Sequence, residues 1–224
     1  MSAMHATALP HRRSPKPLHF PSDAEVPETK LHLTLRTALY AIVKLAFGGF
    51  ACIGSDQFVY WNARNPKRCV APDVFVHPGK RDSLFKSWKT WERGTPPLAV
   101  EILSEGEDWR DKLERYHELG VKELVSFDPE TARLRIWDRI DDDLVERKVE
   151  RSSPCVTLGG FWVIAHIGDV RGLRLARDAA GRDLLPTPEE EKDRRIAAKD
   201  RHIAKLEAAL GRHSKPKRRR SKHG

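Results

Sequence analysis

Cysteine is scarce in this sequence. Cys52, Cys69 and Cys155 are the three cysteines, and no two of them form a Cys-x-x-Cys pair. Closely spaced cysteine pairs are typical of zinc sites, and larger even sets are typical of disulfide-rich secreted domains. The sequence therefore predicts neither kind of site, and the cysteine usage favours a reducing, intracellular compartment.

Long hydrophobic runs are also missing. A helix that crosses a bilayer needs about 20 consecutive apolar residues, and the best candidate, residues 39–51, is broken by Lys44 and by Gly48 and Gly49. Residues 1–20 contain no apolar core of the signal-peptide type. We therefore expect a cytoplasmic protein with no membrane partner.

Acidic residues are absent from both ends of the chain. Residues 212–224 carry seven Lys or Arg and residues 1–20 carry three, without an Asp or Glu in either segment. Because the net charge of the whole chain is +9, residues 21–211 are left with about −1. Such a basic tail predicts sequence-independent attraction to nucleic-acid phosphates, although it also suits a purely solubilising role. The tail residues expected to contact nucleic acid are Lys215, Lys217, Arg218, Arg219, Arg220 and Lys222.

Composition and periodicity divide the chain into five segments. Residues 1–27 are rich in proline and lack periodicity, which predicts a disordered basic arm. Residues 28–175 alternate helical and strand patterns and are expected to form the folded domain. A charged linker (residues 176–188), a charged helix (residues 189–211) and a disordered basic tail (residues 212–224) are expected to follow.

The apolar pattern of the folded domain predicts an α/β, or α+β, fold. A first helix with one apolar face comes before two strand-like stretches, a polar loop (residues 78–95), a further strand, a second helix and more strands. This order predicts a mixed central sheet flanked by helices, in which the strand before the second helix is central. In the C-terminal helix, Ile196, Ile203 and Leu210 are spaced by seven. That spacing predicts either a solvated helix or a short coiled coil that would form a homodimer.

One acid interrupts the most apolar strand of the sequence. The stretch "PPLAVEILS" places Glu101 between Val100 and Ile102, in a run typical of a strand buried on both faces. An ionised carboxylate buried without a partner costs several kcal/mol or more. Glu101 must therefore be neutralised, hydrogen-bonded or bound to a cation.

A second acid, Asp73, has a similar position in "CVAPDVFVHPG". Alternation along the two strands places Asp73 on the face of Phe75 and Glu101 on the face of Ala99, so the two acids meet if the strands are neighbours. Two adjacent carboxylates repel unless a cation lies between them. Their oxygen ligands, with a nearby backbone carbonyl and water, suit Mg²⁺, and a phosphodiester is a natural substrate for such a metal site.

The helix that follows the Glu101 strand offers a cation and a hydroxyl. Asp108, Lys112 and Tyr116 are spaced by four and therefore share one face of this helix. Because the helix starts directly after the strand, its first turns can lie over the strand's C-terminal end. Lys112 is then the candidate that holds the attacking water or a phosphate oxygen.

The ordered series "PDV", "PPLAVEILS", Asp108-x3-Lys112-x3-Tyr116 and "GVKELVSFDP" resembles the Uma-type restriction endonuclease family, which belongs to the PD-(D/E)xK nuclease superfamily. The resemblance covers residues 28–161. It implies a restriction-endonuclease-like fold with Asp73 and Glu101 as metal ligands. The usual superfamily lysine would fall at Leu103, and the family resemblance implies that Lys112 replaces it.

The resemblance implies a metal-dependent endonuclease that cleaves DNA with Mg²⁺ or Mn²⁺. Asp73, Glu101 and Lys112 are the expected catalytic residues, and the Ile102 carbonyl is expected to complete the metal site. His32 falls where the first helix of the family often carries a histidine. It is expected to support the site together with Asp108 and Tyr116.

Each of these residues also has a simpler interpretation. Asp73 follows a proline and suits a turn, and Lys112 suits a surface ion pair with Asp108. Tyr116 and His32 suit ordinary packing on their helices. The competing functions are therefore a catalytically inactive nuclease-fold protein that binds nucleic acid or regulates a partner, and an interaction protein that uses the C-terminal helix.

Overall fold

The computed structural model describes residues 29–104 and 109–213, and this part of the chain forms four helices and twelve strands. The helices are α1 (Lys30–Phe47), α2 (Thr90–Arg93), α3 (Trp109–Leu119) and α4 (Pro188–His213). The strands are β1 (Ala51–Gly54), β2 (Val59–Tyr60), β3 (Cys69–Val70), β4 (Val74–Pro78), β5 (Trp88–Lys89), β6 (Leu98–Ile102), β7 (Glu123–Asp128), β8 (Arg133–Ile140), β9 (Asp143–Arg147), β10 (Ser152–Pro154), β11 (Phe161–Ile167) and β12 (Val170–Ala176).

The main sheet has six strands in the order β1-β4-β6-β7-β8-β9. Strands β6 and β7 run parallel, and the other neighbouring pairs are antiparallel. A parallel pair needs a crossover, and here α3 provides it between β6 and β7. The mixed central sheet with flanking helices and a C-terminal helix, predicted from the sequence, is confirmed, and β6 lies inside the sheet as expected.

Helices cover both faces of the main sheet, which explains why every residue of β6 is buried. Helix α1 packs Leu35, Leu39 and Ile42 into one core, beside Val100 and Ile102. Helix α3 packs its buried side chains into a second core on the opposite face, beside Ala99. Burial of a continuous apolar strand between two helices contributes much of the stability of such a sheet.

Capping residues in the sequence define the start of α1 and the end of α3, the two helices that contact the end of β6. The Thr29 hydroxyl accepts a hydrogen bond from the His32 backbone N–H at 3.1 Å, which caps the start of α1 and sets His32 in its first turn. Helix α3 ends at Leu119, and the next residue, Gly120, has a φ of 85° that glycine adopts at little cost. Residues 105–108, and with them Asp108, lie outside the described residues.

The segment from residue 78 to residue 95 is more ordered than the polar loop that the sequence predicts. Trp88 belongs to β5, which pairs with β2 in parallel, and the indole is fully buried. Its Nε1 donates a hydrogen bond to the Gly94 carbonyl at 2.7 Å. Trp91, in contrast, is half exposed. The large buried surface of one tryptophan is therefore what fixes this segment against the second core.

Helix α4 begins with a reciprocal cap and then leaves the core. The Glu190 N–H donates to the Thr187 hydroxyl at 3.1 Å, and the Thr187 N–H donates to Glu190 Oε2 at 2.9 Å. Residues 176–188, which the sequence predicts to be a linker, include the buried Leu185. Beyond the cap, the apolar residues of α4 are exposed on its surface: Ile196, Ile203, Leu206 and Leu210. Pairing of α4 with a second copy stays a prediction.

No helix in the described part of the chain combines the length and the apolar character that membrane crossing requires. The predicted nucleic-acid contacts of the basic tail, Lys215, Lys217, Arg218, Arg219, Arg220 and Lys222, lie outside the described residues.

Candidate active site

The two acids singled out in the sequence come from neighbouring strands. In the antiparallel β4–β6 pair, Val74 lies opposite Val100 and Phe75 lies opposite Ala99. Extended by one residue, this register sets Asp73 opposite Glu101. The exposed fractions of Asp73 and Glu101 are only 5% and 2%, so both carboxyl groups depend on protein partners rather than on water.

Two side chains of α3 contact Glu101. Lys112 Nζ donates to Glu101 Oε2 at 2.8 Å, and the Tyr116 hydroxyl donates to Glu101 Oε1. Their spacing of four residues on α3 directs both side chains toward the same carboxyl group. Lys112 thus reaches Glu101 from the following helix, and both Glu101 oxygens accept a hydrogen bond.

Burial raises the pKa of Glu101 to about 7. Removal of the carboxylate from water is the main cause; the Lys112 ammonium opposes it, and the negative charge of Asp73 adds to it. The influence of Asp73 on this pKa means that the two acids sense each other's charge. A cation placed between them would reverse that repulsion.

Asp73 is held by the backbone of β6 and by α1. Its Oδ2 accepts a hydrogen bond from the Ile102 N–H at 2.7 Å. His32 Nε2 lies 3.2 Å from the same oxygen and 2.8 Å from the Ile102 carbonyl oxygen. Because both neighbours of Nε2 are acceptors, we assign the proton to Nε2, which then donates to both.

Arg36 is a site residue that the sequence analysis did not identify. Its Nε lies 3.8 Å from Asp73 Oδ1, and its Nη1 lies 3.6 Å from Asp56 Oδ2 and 3.3 Å from Ser55 Oγ. Arg36 follows His32 by four residues on α1, so both face the same acid. That spacing is a signal in the sequence, but it becomes meaningful only when α1 is known to lie beside Asp73.

Ser126 is a second residue that was missed. It pairs in register with Glu101 across the parallel β6–β7 ladder, so the two side chains lie on the same face of the sheet. Its Oγ is buried, and in the described part of the chain it has no hydrogen-bond partner. No local pattern in the sequence shows that β7 pairs with β6 at this position.

The donor atoms at this end of β6 suit a hard cation. Within residues 29–104 and 109–213, no group of three or more His, Cys, Asp or Glu side chains is placed to hold a metal ion. The available set is therefore the two carboxyl groups of Asp73 and Glu101 with the Ile102 carbonyl. Such an all-oxygen set, completed by water, is what Mg²⁺ or Mn²⁺ accepts, and a cation would offset two buried negative charges.

Similarity to known proteins is found among solved structures and among protein families. A crystal structure of a "putative nuclease belonging to DUF820" from Anabaena variabilis ATCC 29413 is 10% identical, with a TM-score of 0.42, over 53% of this chain and 67% of that chain. A search of curated proteins gives no significant match. The profile of the Uma2 family, described as "Putative restriction endonuclease", matches residues 23–167. This match confirms the resemblance seen in the sequence, and the chain belongs to the Uma2 family.

Proposed function

We propose that this protein is a metal-dependent endonuclease that hydrolyses phosphodiester bonds in DNA, with Mg²⁺ as its cation and Mn²⁺ as a substitute. The observation that carries the proposal is the convergence of Asp73 and Glu101 from adjacent strands, with Lys112 bound to Glu101 from α3. Membership of the Uma2 family supports the same class of reaction. DNA is the substrate with which the family description agrees.

The residues divide into ligands and a cationic donor. Asp73, Glu101 and the Ile102 carbonyl would hold the cation. When bound, a divalent cation lowers the pKa of a water molecule and offsets negative charge on the phosphate. Lys112 offers its ammonium beside Glu101, where it holds either the attacking water or a phosphate oxygen.

Other side chains position the two acids. Tyr116 donates to Glu101 and fixes the orientation of its carboxyl group. His32 and Arg36 lie against Asp73, and their donors hold its carboxyl group in place. These three residues act through the acids, so we regard them as positioning residues. Asp108 remains a proposed supporting residue on the evidence of its spacing alone.

A catalytically inactive nuclease-fold protein is the second candidate function. The ion pair between Lys112 and Glu101 favours it, because the ammonium already neutralises the acid without a bound metal. Such a protein would bind nucleic acid or regulate a partner. It would also keep its properties in EDTA, which separates it from the first candidate.

A cleavage assay separates these functions. The full chain is incubated with supercoiled DNA, single-stranded DNA and RNA, in Mg²⁺, Mn²⁺ or EDTA. Asp73→Asn, Glu101→Gln and Lys112→Met are compared with Asp111→Asn and Lys122→Met, which change exposed residues of matched type. We expect metal-dependent cutting of DNA that the first three substitutions abolish and the last two preserve.

Two outcomes of this assay would contradict the proposal in different ways. Metal-dependent cutting that persists in the first three variants would show that the site is elsewhere. No cutting of any substrate by the wild-type chain, together with tight binding of nucleic acid in EDTA, would establish the inactive candidate.

A further inference from the structure

A polar groove lies at one end of the main sheet, between the β8–β9 hairpin and β11. Its volume is about 710 Å³, and it is lined by residues 131–135 and 146–151 together with Ile164. Five cationic side chains contribute to the lining: Arg133, Arg135, Arg147, Lys148 and Arg151. Glu146 and Glu150 are the acids of the lining, so positive charge is in excess.

The acids of this region are bound mainly by the deeper cations. Arg135 donates to both oxygens of Glu146, at 2.8 and 2.7 Å, and its guanidinium lies over the Trp137 ring. Arg147 is held by Asp138 and the Pro154 carbonyl. These bonds fix the wall of the groove and leave Arg135 and Arg147 little freedom to bind a ligand.

The outer cations, in contrast, are available. Arg133 and Arg151 are exposed, and within the described residues neither side chain forms a hydrogen bond or an ion pair. Lys148 is 86% exposed and its ammonium lies 3.3 Å from Glu150, which is itself 78% exposed. An exposed pair of this kind contributes little and exchanges readily with another anion. Three exposed cations therefore border one groove.

This groove lies at the same end of the sheet as the candidate active site. Glu101 pairs with Ser126, which pairs with Arg135, while Asp128 at the end of β7 pairs with Arg133. Neighbouring strands are about 4.8 Å apart, so β8 lies about 10 Å from β6. A DNA duplex advances about 3.4 Å per base pair, and this distance corresponds to roughly three base pairs.

We propose that Arg133, Lys148 and Arg151 bind backbone phosphates of the nucleic-acid duplex whose scissile bond lies at Asp73 and Glu101. The inference rests on the proposed function, because the duplex is the substrate of that site. The groove binds phosphate without reading bases, since its exposed rim cations offer charge and donors but no acceptors. The groove therefore extends the nucleic-acid contact surface from the two acids across the same end of strands β6, β7 and β8.

Binding measured without metal tests this surface on the intact chain. The triple variant Arg133→Gln, Lys148→Gln, Arg151→Gln is compared with Arg194→Gln, Lys199→Gln, Arg201→Gln, which removes the same charge from exposed positions of α4. Dissociation constants for a DNA duplex and for an RNA duplex of the same sequence are measured in EDTA, at salt concentrations between about 50 and 200 mM. Thermal unfolding of each variant verifies that the fold is kept.

We expect the groove variant to bind a duplex at least roughly tenfold more weakly, with the slope of log affinity against log salt reduced by about 2 to 3. The α4 variant should bind within about twofold of the wild type. A loss for DNA alone assigns the groove to DNA, and equal losses for DNA and RNA assign it to the shared phosphate backbone. Equal affinity of the groove and α4 variants would overturn the inference.

Cleavage by the wild-type chain distinguishes this inference from the proposed function. If the wild type cuts DNA but the groove variant binds as tightly as the α4 variant, the groove assignment is wrong and the nuclease proposal stands. If the wild type cuts nothing but the groove variant still loses binding, the surface is real and the nuclease proposal fails.

Discussion

The Lys112 ammonium lies 2.8 Å from Glu101 Oε2, although the two residues belong to different elements of the fold. Glu101 lies in β6, and Lys112 lies one turn into α3. In the PD-(D/E)xK motif that the sequence resembles, the lysine would follow the acid by two residues, at Leu103. Here a helix that starts at the end of the strand brings a cation to the same carboxyl group.

Stability should depend on pH through Glu101. The pKa of Glu101 in the folded protein is raised from 4.5 to about 7. The folded state therefore binds more protons than the unfolded chain between these values, and stability is lost as pH rises from about 4.5 through 7. Glu101→Gln lacks this titration. In EDTA, we therefore expect the unfolding free energy of the variant minus that of the wild type to increase by on the order of 3 kcal/mol between pH 4.5 and 8.

Urea unfolding at several pH values measures this difference. Glu118→Gln is the matched control, because Glu118 is an exposed residue of α3. A difference between Glu101→Gln and wild type that does not change with pH would show that Glu101 keeps its ordinary pKa.

Divalent cations should stabilise the wild-type fold. A cation that binds only the folded state raises the unfolding free energy, by about 2.7 kcal/mol at 100 times its dissociation constant. We expect Mg²⁺ and Mn²⁺ to raise the unfolding temperature of wild type but not of Asp73→Asn. Asp111→Asn should respond as the wild type does. An identical response of Asp73→Asn would exclude Asp73 as a ligand.

His32 should affect cleavage through Asp73. His32 Nε2 lies within hydrogen-bond distance of both Asp73 Oδ2 and the Ile102 carbonyl. Loss of a partner that orients a metal ligand typically costs about 10- to 100-fold in metal affinity or activity. We expect His32→Leu to raise the Mn²⁺ concentration needed for half-maximal cleavage by that factor.

His117 offers the matched control for this prediction. It is an exposed histidine of α3 that lies 3.2 Å from Asp143, so His117→Leu should leave the Mn²⁺ requirement unchanged. A His32→Leu variant with the wild-type requirement would mean that His32 only packs at the end of α1.

A lysine at position 103 should restore part of the activity lost with Lys112. Leu103 follows Glu101 by two residues, and its N–H continues the contact of β6 with β7 by donating to the Phe127 carbonyl at 2.8 Å, so its side chain should leave the same face of the sheet. We expect the double variant Lys112→Met, Leu103→Lys to cleave faster than Lys112→Met by about tenfold or more, as a positioned cation should allow. If the double variant has the same unfolding temperature as the single variant and is no faster, the lysine is not interchangeable between the two positions.

The site was predictable to the extent that its signals are local. Alternation along each strand indicated Asp73 and Glu101, and helical spacing indicated Lys112 and Tyr116. The pairing of strands is not local, and for that reason Ser126 was missed, since its place beside Glu101 depends on the parallel β6–β7 register.

Tertiary packing explains the other differences. Trp88 lies in a polar segment whose sequence predicts a loop, yet the burial of the indole draws the segment into a parallel pair with β2. Leu185 likewise is buried in the core although its stretch is charged, and its N–H donates to the carbonyl of Leu175 in β12 at 2.8 Å. In both places, burial of one apolar side chain determines the local structure although the surrounding residues are polar or charged.

The most direct test of the proposed site is the single-turnover rate of DNA cleavage in Mn²⁺ by the wild-type chain, Lys112→Met and Lys122→Met. We expect Lys112→Met to be slower by about 100-fold or more, because it loses the donor beside Glu101, with binding of DNA in EDTA unchanged. Lys122→Met, which changes an exposed lysine just after α3, should cleave at the wild-type rate. Equal rates for Lys112→Met and wild type would contradict the assignment of the catalytic lysine to the helix.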